Sequence, residues 1–185
     1  MNAALTSGAL APGLGVIGLA GALGVGLVFA HAGFAKLQHR HLIPGIVANY
    51  RLLPEALVGV VASALPGAEL AIGLALLAGL RVAVVPAALL LIVFAGAMAI
   101  NLHRGRSHID CGCGRSELRQ TLRWSLVLRN LALAAVVLPR LLPAATPGTV
   151  ELATAIAGGA SLFLATLLFN AIGTLAASPL AAKRS

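Results

Sequence analysis

The chain has 185 residues, 59% of them hydrophobic and 10% charged, with a mean hydropathy of +0.99. A soluble domain carries roughly a quarter charged residues, so this chain cannot clothe a globule in water and reads as an integral membrane protein. The net charge of +8 reads first as an orientation signal; nucleic-acid binding is set aside because the basic residues sit in short loops with little aromatic surface among them.

Residues 1–12 are an uncharged N-terminal segment, and residues 13–35 form the first predicted span. That span is too long for a signal-peptide core and lacks a basic flank, so it is expected to be retained. Gly13, Gly15, Gly18, Gly21, Gly24, Gly26 and Gly33 are spread through it, a pattern that lets helix backbones approach closely in lipid. His31 lies in its last third, before Lys36, which is expected to snorkel towards water.

A polar loop follows, holding Lys36, His39, Arg40, His41, Asn49, Tyr50 and Arg51, with residues 42–50 read as a short interfacial helix between Pro44 and Pro54. Pro66-Gly67 interrupts the next apolar stretch. The expectation is a short helix over residues 55–64, a kink or break, and a spanning portion over residues 66–80. Glu69 sits in that span, and a carboxylate in lipid needs a partner or a task. Residues 82–102 form the third span and residues 124–138 the fourth, with Arg129-Asn130 in its first two turns. Trp124 is an interface anchor. Residues 149–176 form the fifth, and Lys183-Arg184 a basic tail. The expected fold class is an all-α integral membrane protein, four core spans plus a fifth. The expected organisation is a bundle over 13–142 carrying a loop at 103–123, a fifth helix over 143–177 and a tail over 178–185.

With five spans, the first loop, the 103–123 loop and the C-terminus share a side that holds ten Lys and Arg residues, against two, Arg81 and Arg140, on the other. The positive-inside rule then puts the N-terminus outside and the 103–123 loop in the cytoplasm.

That loop contains both cysteines, in Ile109-Asp110-Cys111-Gly112-Cys113-Gly114. A Cys-Gly-Cys pair closes a very small ring whose strained disulfide is easily reduced, and nearby Arg106, His108 and Arg115 would favour the attacking thiolate. The spacing therefore suits a catalytic pair, Cys111 and Cys113, that exchanges disulfides. Two other readings stay open: a metal relay drawing on His103 and His108, and inert thiols.

Asp110-Cys111-Gly112-Cys113-Gly114 followed by Trp124 and Arg129-Asn130-Leu131 resembles the MauE family of methylamine-utilisation membrane proteins, within the wider DoxX-like group. Residues 32–37, Tyr50-Arg51-Leu52-Leu53-Pro54, Leu65-Pro66-Gly67-Ala68-Glu69 and Gly73-Leu74 carry the same resemblance, over roughly residues 14–140. The phenylalanine that usually follows the second cysteine is missing, and Gly114-Arg115 stands there. The resemblance implies a DoxX-like four-helix bundle that supports maturation of a disulfide-rich protein such as methylamine dehydrogenase. It also implies a thioredoxin-like partner and, by likeness of layout to disulfide oxidoreductases, a quinone as electron carrier. Glu69, Arg129 and His31 are the candidate residues for such a cofactor, with a structural Glu69–Arg129 ion pair as the plainer reading of the first two. Asn101 and Asn130 are expected to donate hydrogen bonds between helices. A non-catalytic membrane subunit or assembly factor of a larger respiratory or dehydrogenase complex is the alternative.

Overall fold

A computed structural model describes residues 3–111, 121–143 and 147–176, the side chains of residues 3–12 and 176 excepted. The described residues form six helices: α1 (Ala3–Gln38), α2 (Ile43–Asn49), α3 (Glu55–Leu77), α4 (Val84–His103), α5 (Trp124–Val137) and α6 (Thr149–Ala176). Short 3-10 turns at Arg81–Ala83 and Leu138–Leu141 precede α4 and follow α5. Among the described residues five segments are long and apolar enough to cross a bilayer: Gly13–Gln38, Glu55–Leu77, Arg81–His103, Trp124–Leu141 and Thr149–Leu175. The protein is a multi-pass, all-helical membrane protein.

Local chemistry sets the boundaries. Pro44 stands in the first turn of α2, where its missing N–H costs nothing. Pro54, in an extended conformation, precedes α3, and Glu55 opens that helix with a negative charge at its positive end. Both α3 and α4 end in a Schellman motif. Gly79 (φ +82°) and Gly105 (φ +71°) take the left-handed conformation. The N–H groups of the following residues, Leu80 and Arg106, reach back to the carbonyls of Ala75 (3.0 Å) and Asn101 (2.9 Å).

One expectation fails in α3. No break follows Ala64, and the helix runs without interruption through Pro66. Water would reward a break by solvating the exposed carbonyls, but lipid offers no such partner, so a proline is carried inside a continuous helix. Pro66 is buried, and its carbonyl abuts Gly33 of α1.

α1 is the central helix. It packs against α3 and α6 and touches α5 and the Leu138–Leu141 turn, while α4 pairs with α5. Lipid gives no hydrophobic drive to bring helices together, so close backbone approach supplies the packing. A Cβ on Gly73 would lie 2.6 Å from the Ala30 backbone nitrogen, and one on Gly33 2.8 Å from that of Leu70. On the other flank Gly24 meets Gly159 of α6. α6 lies at the edge of the bundle: 17% of its span is buried, against 39% of the first.

Among the described residues two apolar clusters fill the interior. The larger gathers Val25, Phe29, Leu76, Val84, Leu91 and Val137, from mid-bundle towards the end that carries Arg81. The smaller gathers Met98, Ile109, Cys111, Leu122, Leu126 and Val127 at the end that carries the cysteine segment.

Candidate functional site

The cysteine segment leaves α4 and returns to α5 through a narrow neck. Asp110 and Thr121 form an isolated antiparallel bridge, and Leu122 donates its N–H to the Ile109 carbonyl at 3.2 Å. Cys111 lies just inside the neck, buried among the apolar side chains of the smaller cluster. Gly112, Cys113 and Arg115 fall outside the described residues.

The neck is tied to the first loop. Tyr50 donates its hydroxyl to the Cys111 carbonyl at 3.2 Å. Arg106 reaches the Asn101 Oδ1 at 3.0 Å and the Tyr50 carbonyl at 3.5 Å, and Arg104 reaches the Arg51 carbonyl at 3.5 Å. Arg51 holds a φ of +49°, a strained conformation for a non-glycine residue, and turns its carbonyl to that contact. Through these oxygen acceptors Arg106, whose charge was expected to favour a thiolate, braces the neck against the first loop. His103 sets its ring edge-on to Trp124, 5.0 Å between centroids. Among the described residues no group of three or more His, Cys, Asp or Glu side chains is placed to hold a metal. Cys113, which a metal relay would use, lies outside them.

Deeper in the bundle is a second polar site. His31, Lys36, Glu69, Arg129, Asn130 and Asn170 line a cavity of about 50 Å³ between α1, α3, α4, α5 and α6. Lys36 pairs with both carboxylate oxygens of Glu69, which is 1% exposed. The ammonium also stands 5.4 Å from the ring centre of Phe94. Phe94 is nine residues before His103, so Lys36 reaches a level about 14 Å along α4 from the Trp124 rim.

Two expectations are corrected here. Lys36 does not snorkel; it turns inward, because the gain from meeting a buried carboxylate outweighs the reach to water. The ion pair of Glu69 is with Lys36, and the Arg129 guanidinium donates instead to Asn170 Oδ1 and lies 6.0 Å from the Phe169 ring centre. The asparagines differ too. Asn130 donates to the Leu126 carbonyl at 2.8 Å and Asn101 to the Ala97 carbonyl at 3.1 Å, each within its own helix.

His31 is exposed at the cavity's edge, its ring 5.8 Å from that of Phe163. The structure thus brings His31, Glu69 and Arg129 to the lining of one cavity. Lys36 and Asn170 were not singled out for this site. Their signal was available as polar residues inside or at the end of an apolar span.

Residues 14–143 match the model of a family described as methylamine utilisation protein MauE. The chain is 44% identical over 162 residues to the methylamine utilization protein MauE of Paracoccus denitrificans, covering 85% of this chain and 87% of that one. It is 39% identical over 161 residues to that of Methylophilus methylotrophus, covering 84% and 83%. With the protein of the same name from Methylorubrum extorquens the identity is 45% over 123 residues, 64% of this chain and 66% of that one. No solved structure matches.

Proposed function

The chain belongs to the MauE family of methylamine utilisation proteins, and from that premise we propose that it is a membrane thiol-disulfide relay acting through Cys111 and Cys113. The observation that carries the reading is the position of Cys111: a thiol residue at one end of a membrane bundle, its backbone fastened by Tyr50. In a disulfide-exchanging pair the attacking sulfur must be within a partner's reach, while the resolving sulfur needs only to reach the first. Burial suits Cys111 for the second role and leaves the first to Cys113.

In the exchange, the Cys113 thiolate attacks a disulfide of a thioredoxin-like partner and forms a mixed disulfide, releasing one partner thiolate. Cys111 then attacks the Cys113 sulfur, closing the intramolecular bond and releasing the second partner thiol. Two electrons have passed to the partner. The reverse sequence oxidises the partner and leaves Cys111 and Cys113 as thiols. No step passes through the deeper cavity. Methylamine utilisation supplies the setting: the relay supports maturation of a disulfide-rich protein of that pathway.

Replacing the sulfurs one at a time tests this. Cys111→Ser should accumulate a covalent complex with the thioredoxin-like partner, reversible by dithiothreitol, and Cys113→Ser should not. Growth on methylamine undiminished by both substitutions would end the relay reading.

The cysteine end is assigned to the cytoplasm. With Lys36 withdrawn into the bundle, nine basic residues remain on that side against Arg81 and Arg140. A relay there passes reducing equivalents outward. A membrane-impermeant maleimide added to intact cells should leave both thiols unlabelled, and labelling without permeabilisation would reverse the assignment. The alternative, a non-catalytic subunit or assembly factor, draws on α6, whose outer face exposes Leu164, Leu168, Ile172 and Leu175. A stable membrane complex whose cysteines stay inert would favour it.

A further inference from the structure

The deep cavity holds an unbalanced charge. Lys36 and Glu69 cancel, with both carboxylate oxygens engaged by the one ammonium. Arg129 remains. Its Nη1 meets the neutral amide oxygen of Asn170, while Glu69 holds Lys36 as its ion-pair partner. Its Nε is shielded from solvent and has no hydrogen-bond partner. A cation surrounded by apolar helices is costly unless a counter-charge accompanies it, and a buried N–H without an acceptor adds to that cost.

The space beside these groups is about 50 Å³. One water-sized occupant takes about 10–15 Å³ by this measure, so the cavity has room for a small ion with a water or two. Charge balance sets the valence. A monovalent anion brings the cluster of Lys36, Glu69 and Arg129 to zero, whereas a divalent one overshoots. Asn170, its oxygen turned to Arg129, keeps its NH₂ group to donate.

We propose that this cavity is a binding site for a small monovalent anion of the halide class, held by Arg129 Nε with Asn170 beside it. The ion completes the electrostatics of the bundle where α1, α5 and α6 meet, and its binding is independent of the cysteine chemistry.

The test uses the full chain, purified in detergent, with chloride or bromide exchanged for gluconate at constant ionic strength. The melting temperature should rise with halide and saturate. At a hundredfold excess over the dissociation constant the folded-to-unfolded ratio should gain about a hundredfold. Arg129→Gln should remove the halide dependence, and Asn170→Ala should weaken it. A wild-type response that is flat, or that climbs without saturating, overturns the site, as does a halide effect that survives Arg129→Gln. Should Arg129→Gln not fold, crystals grown in bromide decide. An anomalous peak within hydrogen-bond reach of Nε supports the site, and no peak there overturns it.

Discussion

Lys36 and Glu69 depend on each other. Truncating one partner of a buried pair strands the other charge and costs about 3–5 kcal/mol, while replacing both with apolar residues of similar size is close to neutral. Glu69→Ala should therefore destabilise by about 3 kcal/mol, and Lys36→Met combined with Glu69→Leu by much less. Reversible unfolding in mixed detergent, run as a double-mutant cycle, measures the difference. Tyr50 gives a smaller effect of another kind. Tyr50→Phe removes the hydroxyl that holds the Cys111 carbonyl, costing about 1 kcal/mol. It should also speed alkylation of Cys111 severalfold as the neck loosens. That Glu69 needs a partner was legible in the sequence, because a lone carboxylate in an apolar span has few stable fates. Which partner was not, because the choice between Lys36 and Arg129 depends on how far α1 slides along α3, a quantity no single residue reveals.

That sliding is set by glycines, and it is tested at the level of the helix. Gly33 and Gly73 sit where α1 and α3 backbones nearly touch, so Gly33→Val or Gly73→Val should destabilise by about 2 kcal/mol or more through forced separation. At Gly59 and Gly67 of the same α3, an added methyl group would meet nothing within 4 Å. Gly59→Ala and Gly67→Ala should be neutral or stabilising by up to about 1 kcal/mol, the helix-propensity difference. Melting curves of the four variants in one detergent separate the two classes. The spans themselves were readable, since hydrocarbon demands unbroken apolar stretches: α6 begins and ends where the hydropathy of residues 149–176 does. Pro66 misled because its helix-breaking habit is learned in water, where a broken turn can be solvated. The glycine contacts were readable only in kind; a glycine-rich helix suggests close packing without saying that α1 meets α3 and α6 on different flanks.

Across the whole molecule, the polar features converge on one end. The first loop, the cysteine neck and the C-terminal turn of α6 meet there through Tyr50 with Cys111, Arg104 with Arg51, and Arg123 with the Gly173 carbonyl. Reporters inserted after Ser107 and fused at the C-terminus should therefore show the same sidedness, and opposite signals would break the five-span arrangement. Cys111 and Cys113 stand out in the sequence as the candidate pair by rarity alone, and the relay proposed for them starts from that reading. That Cys111 is buried was not legible, because its burial is built by Met98, Leu122 and Leu126, residues that read merely as span and flank.

The bridge between Asp110 and Thr121 makes the chain come back to the point from which it set out. Chain inserted between Cys113 and Thr121 leaves that clasp and the buried Cys111 in place. Doubling the length closed by the clasp should cost only about 0.6 kcal/mol in closure entropy. An epitope or a redox-sensitive dye could thus be spliced in beside the sulfurs to follow their cycling in living membranes.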